Sequence, residues 1–213
     1  MSRSFNKYLK KLQELETKDT LVTGKKVVLL ISGSSHYQHA ELSEIQKKFF
    51  TQDYFNGYQI IDMNFPYNQK FKVQEAQFPS LFQASLQNIG YFFHTIWNRR
   101  FKQELIRHLA PVFKAEEVVI ISQSSGLNML TQVLADSSFN AEKCQIIALG
   151  PVSYKKLDPS VAKWTVIKGT KDYYSTFLDS QPVDYLVSSN HFDYLENGEV
   201  GEIIYERIQK NQD

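Results

Sequence analysis

Apolar and polar positions along the chain follow two periods, and the switches between them predict the elements. Phe5, Tyr8, Leu9, Leu12 and Leu15 recur at helical spacing among lysines and glutamates, so the first segment is expected to be an amphipathic helix laid on the domain. After Thr23-Gly24 comes Lys25-Lys26-Val27-Val28-Leu29-Leu30-Ile31, whose apolar residues serve both faces, as in a central parallel strand covered by helices. Ser32-Gly33-Ser34-Ser35 ends it. Leu42, Ile45 and Phe49 predict a helix, Asn56-Gly57 a turn and Tyr58 to Met63 a second strand. From Asn64 to Gly90 the pattern loosens, with Pro66, Pro79 and many aromatics, before Phe101, Leu105, Leu109 and Val112 restore a helical period.

A third strand is expected over Glu117 to Ile121, followed by Ser122-Gln123-Ser124-Ser125-Gly126 and a helix carrying Leu127, Leu130 and Leu134. Cys144 to Leu149, Lys163 to Lys168 and Asp184 to Ser188 supply further strands, and Val200, Ile203, Ile204 and Ile208 a closing helix. Strands alternating with helices predict an α/β fold with a mainly parallel central sheet and helices on both faces. No repeat or low-complexity linker divides the sequence, so residues 1–213 are expected to form a single domain, with residues 1–24 as a packed N-terminal amphipathic helix.

Composition narrows the classes. At 213 residues with 42% hydrophobic, 14% aromatic and 22% charged positions, the chain is not disordered, collagen-like or a coiled coil. Lysine plus arginine (24) nearly balances aspartate plus glutamate (23), so no broad field favours nucleic acid or an anionic membrane as partner. A single cysteine, Cys144, closes no disulfide within the chain, and Met1 to Thr20 lacks the apolar core of a signal peptide. Val27 to Ile31 and Val118 to Ile121 fall far short of the roughly 20 residues needed to cross a bilayer. These features point to a soluble, cytoplasmic protein with no membrane span; they leave the oligomeric state open.

In an open parallel sheet, functional groups gather beyond the carboxyl ends of the strands. Ser122-Gln123-Ser124-Ser125-Gly126 stands at such an end, and a sharp strand-to-helix turn needs small residues two positions either side of its exposed nucleophile. Ser124 meets that condition. Centring the turn on Ser125 would put Gln123 and Leu127 at the crowded positions. A serine hydroxyl needs a base to take its proton and a third group to orient that base. Gly169-Thr170-Lys171-Asp172 puts a carboxylate just past one strand, and Ser189-Asn190-His191 an imidazole past another, giving the chain order serine, acid, histidine. Asp158, Asp179 and Asp184 are rival acids, but only Asp172 directly follows an expected strand with glycine before it. His191 can instead be read as a helix-capping residue, and Asp172 as a turn residue.

Through Ser122-Gln123-Ser124-Ser125-Gly126, Gly169-Thr170-Lys171-Asp172 and Asn190-His191-Phe192, the sequence resembles the α/β-hydrolase family over roughly residues 25 to 210. The resemblance is closest to the small, lidless members, because 48 positions from Ser124 to Asp172 leave little room for a cap domain. It implies a sheet of about six strands and a serine hydrolase cleaving a carboxylic ester or thioester through an acyl-enzyme intermediate. Ser124 would be nucleophile, His191 base and Asp172 orienting acid, with no cofactor and no metal. The backbone N–H groups of Ser125 and Ser34 would form the oxyanion hole, each donor worth about 2.7–4 kcal/mol in the transition state. Ser122 and Ser32 depart from the family pattern, at the first glycine of the turn and at a frequent histidine.

Phe65, Tyr67, Phe71, Phe78, Phe82, Tyr91, Phe92, Phe93 and Trp97 make an unusually aromatic connection that would wall an apolar acyl pocket for a small-molecule substrate; the same residue types serve a core equally well. Tyr173 and Tyr174 would line the opposite side, and His36 would touch substrate or cap the helix expected near Glu41. His36 and His39 lack the neighbouring cysteines or acids of a metal site, His94 is expected in a loop and His108 on a helix surface. The alternative from another class is a catalytically inactive domain of the same fold that binds a protein partner or small ligand.

Overall fold

The computed structural model describes residues 3–33, 37, 40–71, 81–136 and 139–210, with side chains at all of these except 81–87. In chain order the main elements are α1 (Arg3–Glu14), β1 (Lys26–Ser32), α2 (Glu44–Phe49), β2 (Gln59–Ile61), α3 (Leu81–Trp97), α4 (Arg99–Leu109), β3 (Glu117–Gln123), α5 (Gly126–Asp136), β4 (Ala141–Leu149), β5 (Ala162–Gly169), α6 (Tyr173–Leu178), β6 (Tyr185–Val187) and α7 (Gly198–Gln209). The six strands form one open sheet in the order β2-β1-β3-β4-β5-β6, and every pairing is parallel.

Alternation along the central strands explains both covered faces. Val27, Leu29 and Ile31 of β1, Val118 and Ile120 of β3 and Cys144 and Ile146 of β4 join a core with α1, α4 and α5. Val28 and Leu30, Val119 and Ile121, and Ile147 and Leu149 face the other way, against Phe49 of α2 and Val200, Ile203, Ile204 and Ile208 of α7. Each fully buried side chain of this kind contributes about 1.5–3 kcal/mol of transfer free energy. The chain leaves β1 toward β2 on one side and β3 toward β4 on the other, so a crevice opens between the carboxyl ends of β1 and β3.

Four expectations need correction. The connection before α4 contains a 17-residue helix, α3, whose solvent-facing positions include the apolar Ile89, Phe93 and Trp97, so hydrophobicity does not mark its buried face. Phe65, Tyr67 and Phe71 before it and Tyr91 within it are buried in the core, whereas Phe93 and Trp97 are exposed and stack on each other. Phe78 and the side chain of Phe82 lie outside the described residues. His94 lies within α3, stacked on Phe5 at 3.5 Å. His108 is buried where α4 meets α1, its Nε2–H donating to the Leu12 carbonyl at 3.0 Å. Desolvation there lowers the pKa of its imidazole. The N-terminal helix ends at Glu14; residues up to 24 continue as a short 3-10 turn and an irregular segment pinned by Leu21 N–H to the Tyr67 carbonyl.

Candidate active site

β3 runs straight into α5 through Ser124, which sits at φ +53. A serine in the left-handed region costs on the order of 1–3 kcal/mol and must be held there. Three backbone bonds hold it: its N–H donates to Leu149 O (3.1 Å), and its carbonyl accepts from Leu127 N–H (3.3 Å) and Val152 N–H (3.0 Å). Two residues on, a Cβ at Gly126 would collide with the backbone of Ile31 and stand 3.0 Å from the Ser32 Cα, so only glycine lets α5 start this close to β1. Ser122, two residues before, is fully buried between Ile31 of β1 and Ala148 of β4, and its hydroxyl has no partner. The turn thus tolerates serine in place of glycine at that position.

The acid comes from the other side of the crevice. Asp172 follows β5 and caps α6, its Oδ1 accepting the Ser175 N–H at 3.0 Å. Its Oδ2 accepts the Tyr194 hydroxyl at 2.7 Å, and the carboxylate is buried. Burial on its own would raise the carboxyl pKa, but the hydrogen bonds from His191, Ser175 and Tyr194 outweigh it and hold the pKa at about 2. The group is therefore anionic at neutral pH.

His191, in the turn after β6, joins the two. Its Nδ1 lies 3.0 Å from both Oδ1 and Oδ2 of Asp172, and its Nε2 lies 3.0 Å from the Ser124 Oγ. Because an ionised carboxylate only accepts, Nδ1 carries the proton, which leaves the Nε2 lone pair to accept the serine hydroxyl. The structure brings together all three side chains singled out in the sequence, from positions 67 and 19 residues distant from the histidine.

The rival acids are engaged elsewhere. Asp158 accepts from Ser160, Asp184 accepts the Val166 N–H at 2.7 Å, and Asp179 pairs with Lys168 at 2.9 Å. Ser125 stands at the start of α5, where the first N–H groups lack intrahelical acceptors, and Gly33 of the β1 turn lies directly against its side chain. Ser34 and His36 lie outside the described residues. Both tyrosines expected at the mouth are exposed, and the Tyr174 ring sits 4.9 Å from the His191 ring with Phe192 beside it. Tyr194 was missed in the sequence because nothing but its position three residues after His191 distinguishes it from a core aromatic. A groove of about 700 Å³ between α2 and α7 is bordered by none of the three side chains.

A predicted CIB-like hydrolase from Thermoplasma acidophilum superposes with a TM-score of 0.51 at 15% identity, covering 88% of this chain and 88% of that one. The chain has the α/β-hydrolase fold. Dienelactone hydrolase from Anabaena variabilis matches with a TM-score of 0.49 at 13% identity over 87% of this chain and 85% of its own. A carboxylesterase from Mesorhizobium loti gives 0.45 at 12% over 88% and 90%. No protein-family model and no curated protein sequence matches the chain. Within the α/β-hydrolase fold of this chain, Ser124 occupies the turn after β3, Asp172 the turn after β5 and His191 the turn after β6. No described helix is long and apolar enough to cross a membrane.

Proposed function

We propose that this chain is a serine hydrolase cleaving a carboxylic ester or thioester through an acyl-enzyme intermediate. The observation that carries the reading is the unbroken hydrogen-bonded line from Ser124 Oγ through His191 to Asp172, with 3.0 Å at each step. The Ser124 oxygen attacks the acyl carbon as its proton passes to His191 Nε2. The resulting imidazolium is stabilised by the adjacent carboxylate, which stays ionised. The oxyanion is received by the Ser125 N–H and by an N–H of the turn after β1, for which Ser34 is the candidate. Collapse breaks the bond to the leaving alcohol or thiol, which takes the Nε2 proton. Water then attacks the acyl-serine, giving its proton to Nε2, and the carboxylic acid departs as Ser124 is reprotonated.

The rings of Tyr174 and Phe192 beside the imidazole favour an apolar acyl group over a charged one. The test is hydrolysis of p-nitrophenyl esters and acyl thioesters of graded chain length. Wild-type protein is expected to turn over at least one series, and Ser124→Ala to lose nearly all of it. Absence of turnover by folded wild type on every series would favour a ligand-binding domain.

A further inference from the structure

Each oxygen of the Asp172 carboxylate has its own donor besides His191. Oδ1 takes the Ser175 N–H at 3.0 Å and Oδ2 takes the Tyr194 hydroxyl at 2.7 Å, and the imidazole Nδ1 stands equally far, 3.0 Å, from both. The Ser175 donor is backbone and fixed by α6. The Tyr194 donor is a side chain, fully buried, and its oxygen also accepts the Gly169 N–H at 2.6 Å. Gly169 ends β5 and Tyr194 opens the short helical turn that follows His191. One phenol oxygen therefore ties three things together: the end of the acid-bearing strand, the acid, and the segment carrying the histidine. The surroundings are shaped for that ring. A Cβ at Gly150 would stand 2.6 Å from the Tyr194 Cε2 and 2.5 Å from the Asp172 Oδ2, so the β4 turn leaves space for this pair.

We infer that Tyr194 is a positioning residue that acts through Asp172. It holds the carboxylate plane centred on His191 Nδ1 and locks the histidine segment to the acid turn. Without the hydroxyl, Oδ2 keeps no donor but the imidazole, the carboxylate is free to rotate toward the Ser175 N–H, and the histidine segment loses its bond to β5. Turnover falls while substrate contacts are untouched, because Tyr194 is buried behind the acid.

The inference rests on the hydrolase reading for its kinetic arm only. Tyr194→Phe keeps the ring and its packing, and is expected to lower kcat about 10- to 100-fold with KM unchanged. In an Asp172→Asn background the same substitution is expected to cost less than about 2-fold, since the group it positions is gone. Equal losses in both backgrounds would overturn the inference and leave Tyr194 as packing alone. Site-specific 3-fluorotyrosine at position 194, which keeps the hydrogen bond, is expected to retain wild-type kcat; a loss equal to that of the phenylalanine variant would contradict the role. A second readout needs no turnover: the downfield proton resonance of His191 Nδ1–H, followed against pH. Removing one of the donors that depress the Asp172 pKa makes the carboxylate protonate sooner as pH falls. The resonance is expected to disappear at a higher pH in Tyr194→Phe than in wild type, and identical profiles would refute the link. Wild type without activity but with this shift would sink the hydrolase reading and keep the inference.

Discussion

The two ends of α6 carry two buried aspartates that the structure uses in opposite ways. Asp172, before the helix, is surrounded by donors that carry no permanent charge: a backbone N–H, a phenol and an imidazole. Asp179, after it, lies 2.9 Å from the Lys168 ammonium, which also donates to the carbonyls of Ser175 and Asp179, and its Oδ1 has no partner. A carboxylate beside a fixed cation is already neutralised and serves as an anchor. One held only by neutral dipoles keeps its negative charge available for a positive charge that appears during a reaction. The difference in donors, more than burial or position, separates a group able to stabilise an imidazolium from one that fastens a helix to β5.

Exchanging charge for a neutral isostere at each end separates the two roles most clearly. Asp172→Asn is expected to reduce kcat by a factor on the order of ten thousand while the chain still folds, because the amide stabilises the wrong tautomer of His191. Asp179→Asn is expected to leave kcat within a few-fold of wild type. Equal kinetic losses at both ends would erase the distinction, and steady-state rates on one soluble ester decide it. Stability should show the reverse order. Lys168→Ala strands a buried carboxylate and is expected to cost about 3–5 kcal/mol in denaturant unfolding; a loss below about 1 kcal/mol would mean that the pair is not an anchor.

Gly150→Ala probes the Asp172 end without touching a charge. Gly150 is at φ +49, and an added Cβ would press on the carboxylate and on Tyr194, so a cost of about 1–3 kcal/mol is expected together with reduced turnover. An alanine variant with unchanged stability and rate would show that the acid turn has room to spare. The smallest effect concerns pH. The Asp172 pKa is depressed to about 2, so its contribution to stability is fully present above the ordinary carboxylate value of about 3.9 and is lost as pH falls through about 2. Urea unfolding of wild type and Asp172→Asn from pH 6 to 2 is expected to give a constant difference that narrows only below about pH 4. Narrowing at pH 5 to 6 would contradict the depressed value.

Much of this arrangement was legible in the sequence because it rests on strong local signals. The β-branched runs at Val27, Val118 and Ile146 mark strands buried on both faces, and Ser124 stands directly after one of them, while Asp172 and His191 follow the strand ends at Gly169 and Val187. Residues whose meaning comes only from the partner across the fold were not legible. Lys168 reads as the polar end of a strand, yet its ammonium reaches back under α6. His108 reads as a surface position until α1 covers it. Tyr194 reads as core, and only the closeness of Gly150 and Gly169 reveals what its hydroxyl holds. Helix α3 escaped because apolar residues such as Ile89, Phe93 and Trp97 stand on its exposed side, so its hydrophobic pattern does not mark a core face.

The whole proposal depends on the hydroxyl of Ser124 being the activated nucleophile. Treating the folded protein with a fluorophosphonate and mapping the adduct by peptide mass spectrometry tests it most directly. One phosphonyl group per chain is expected, on Ser124, absent from Ser124→Ala and strongly slowed in His191→Ala. An adduct on another residue, or labelling that persists in Ser124→Ala, would contradict it.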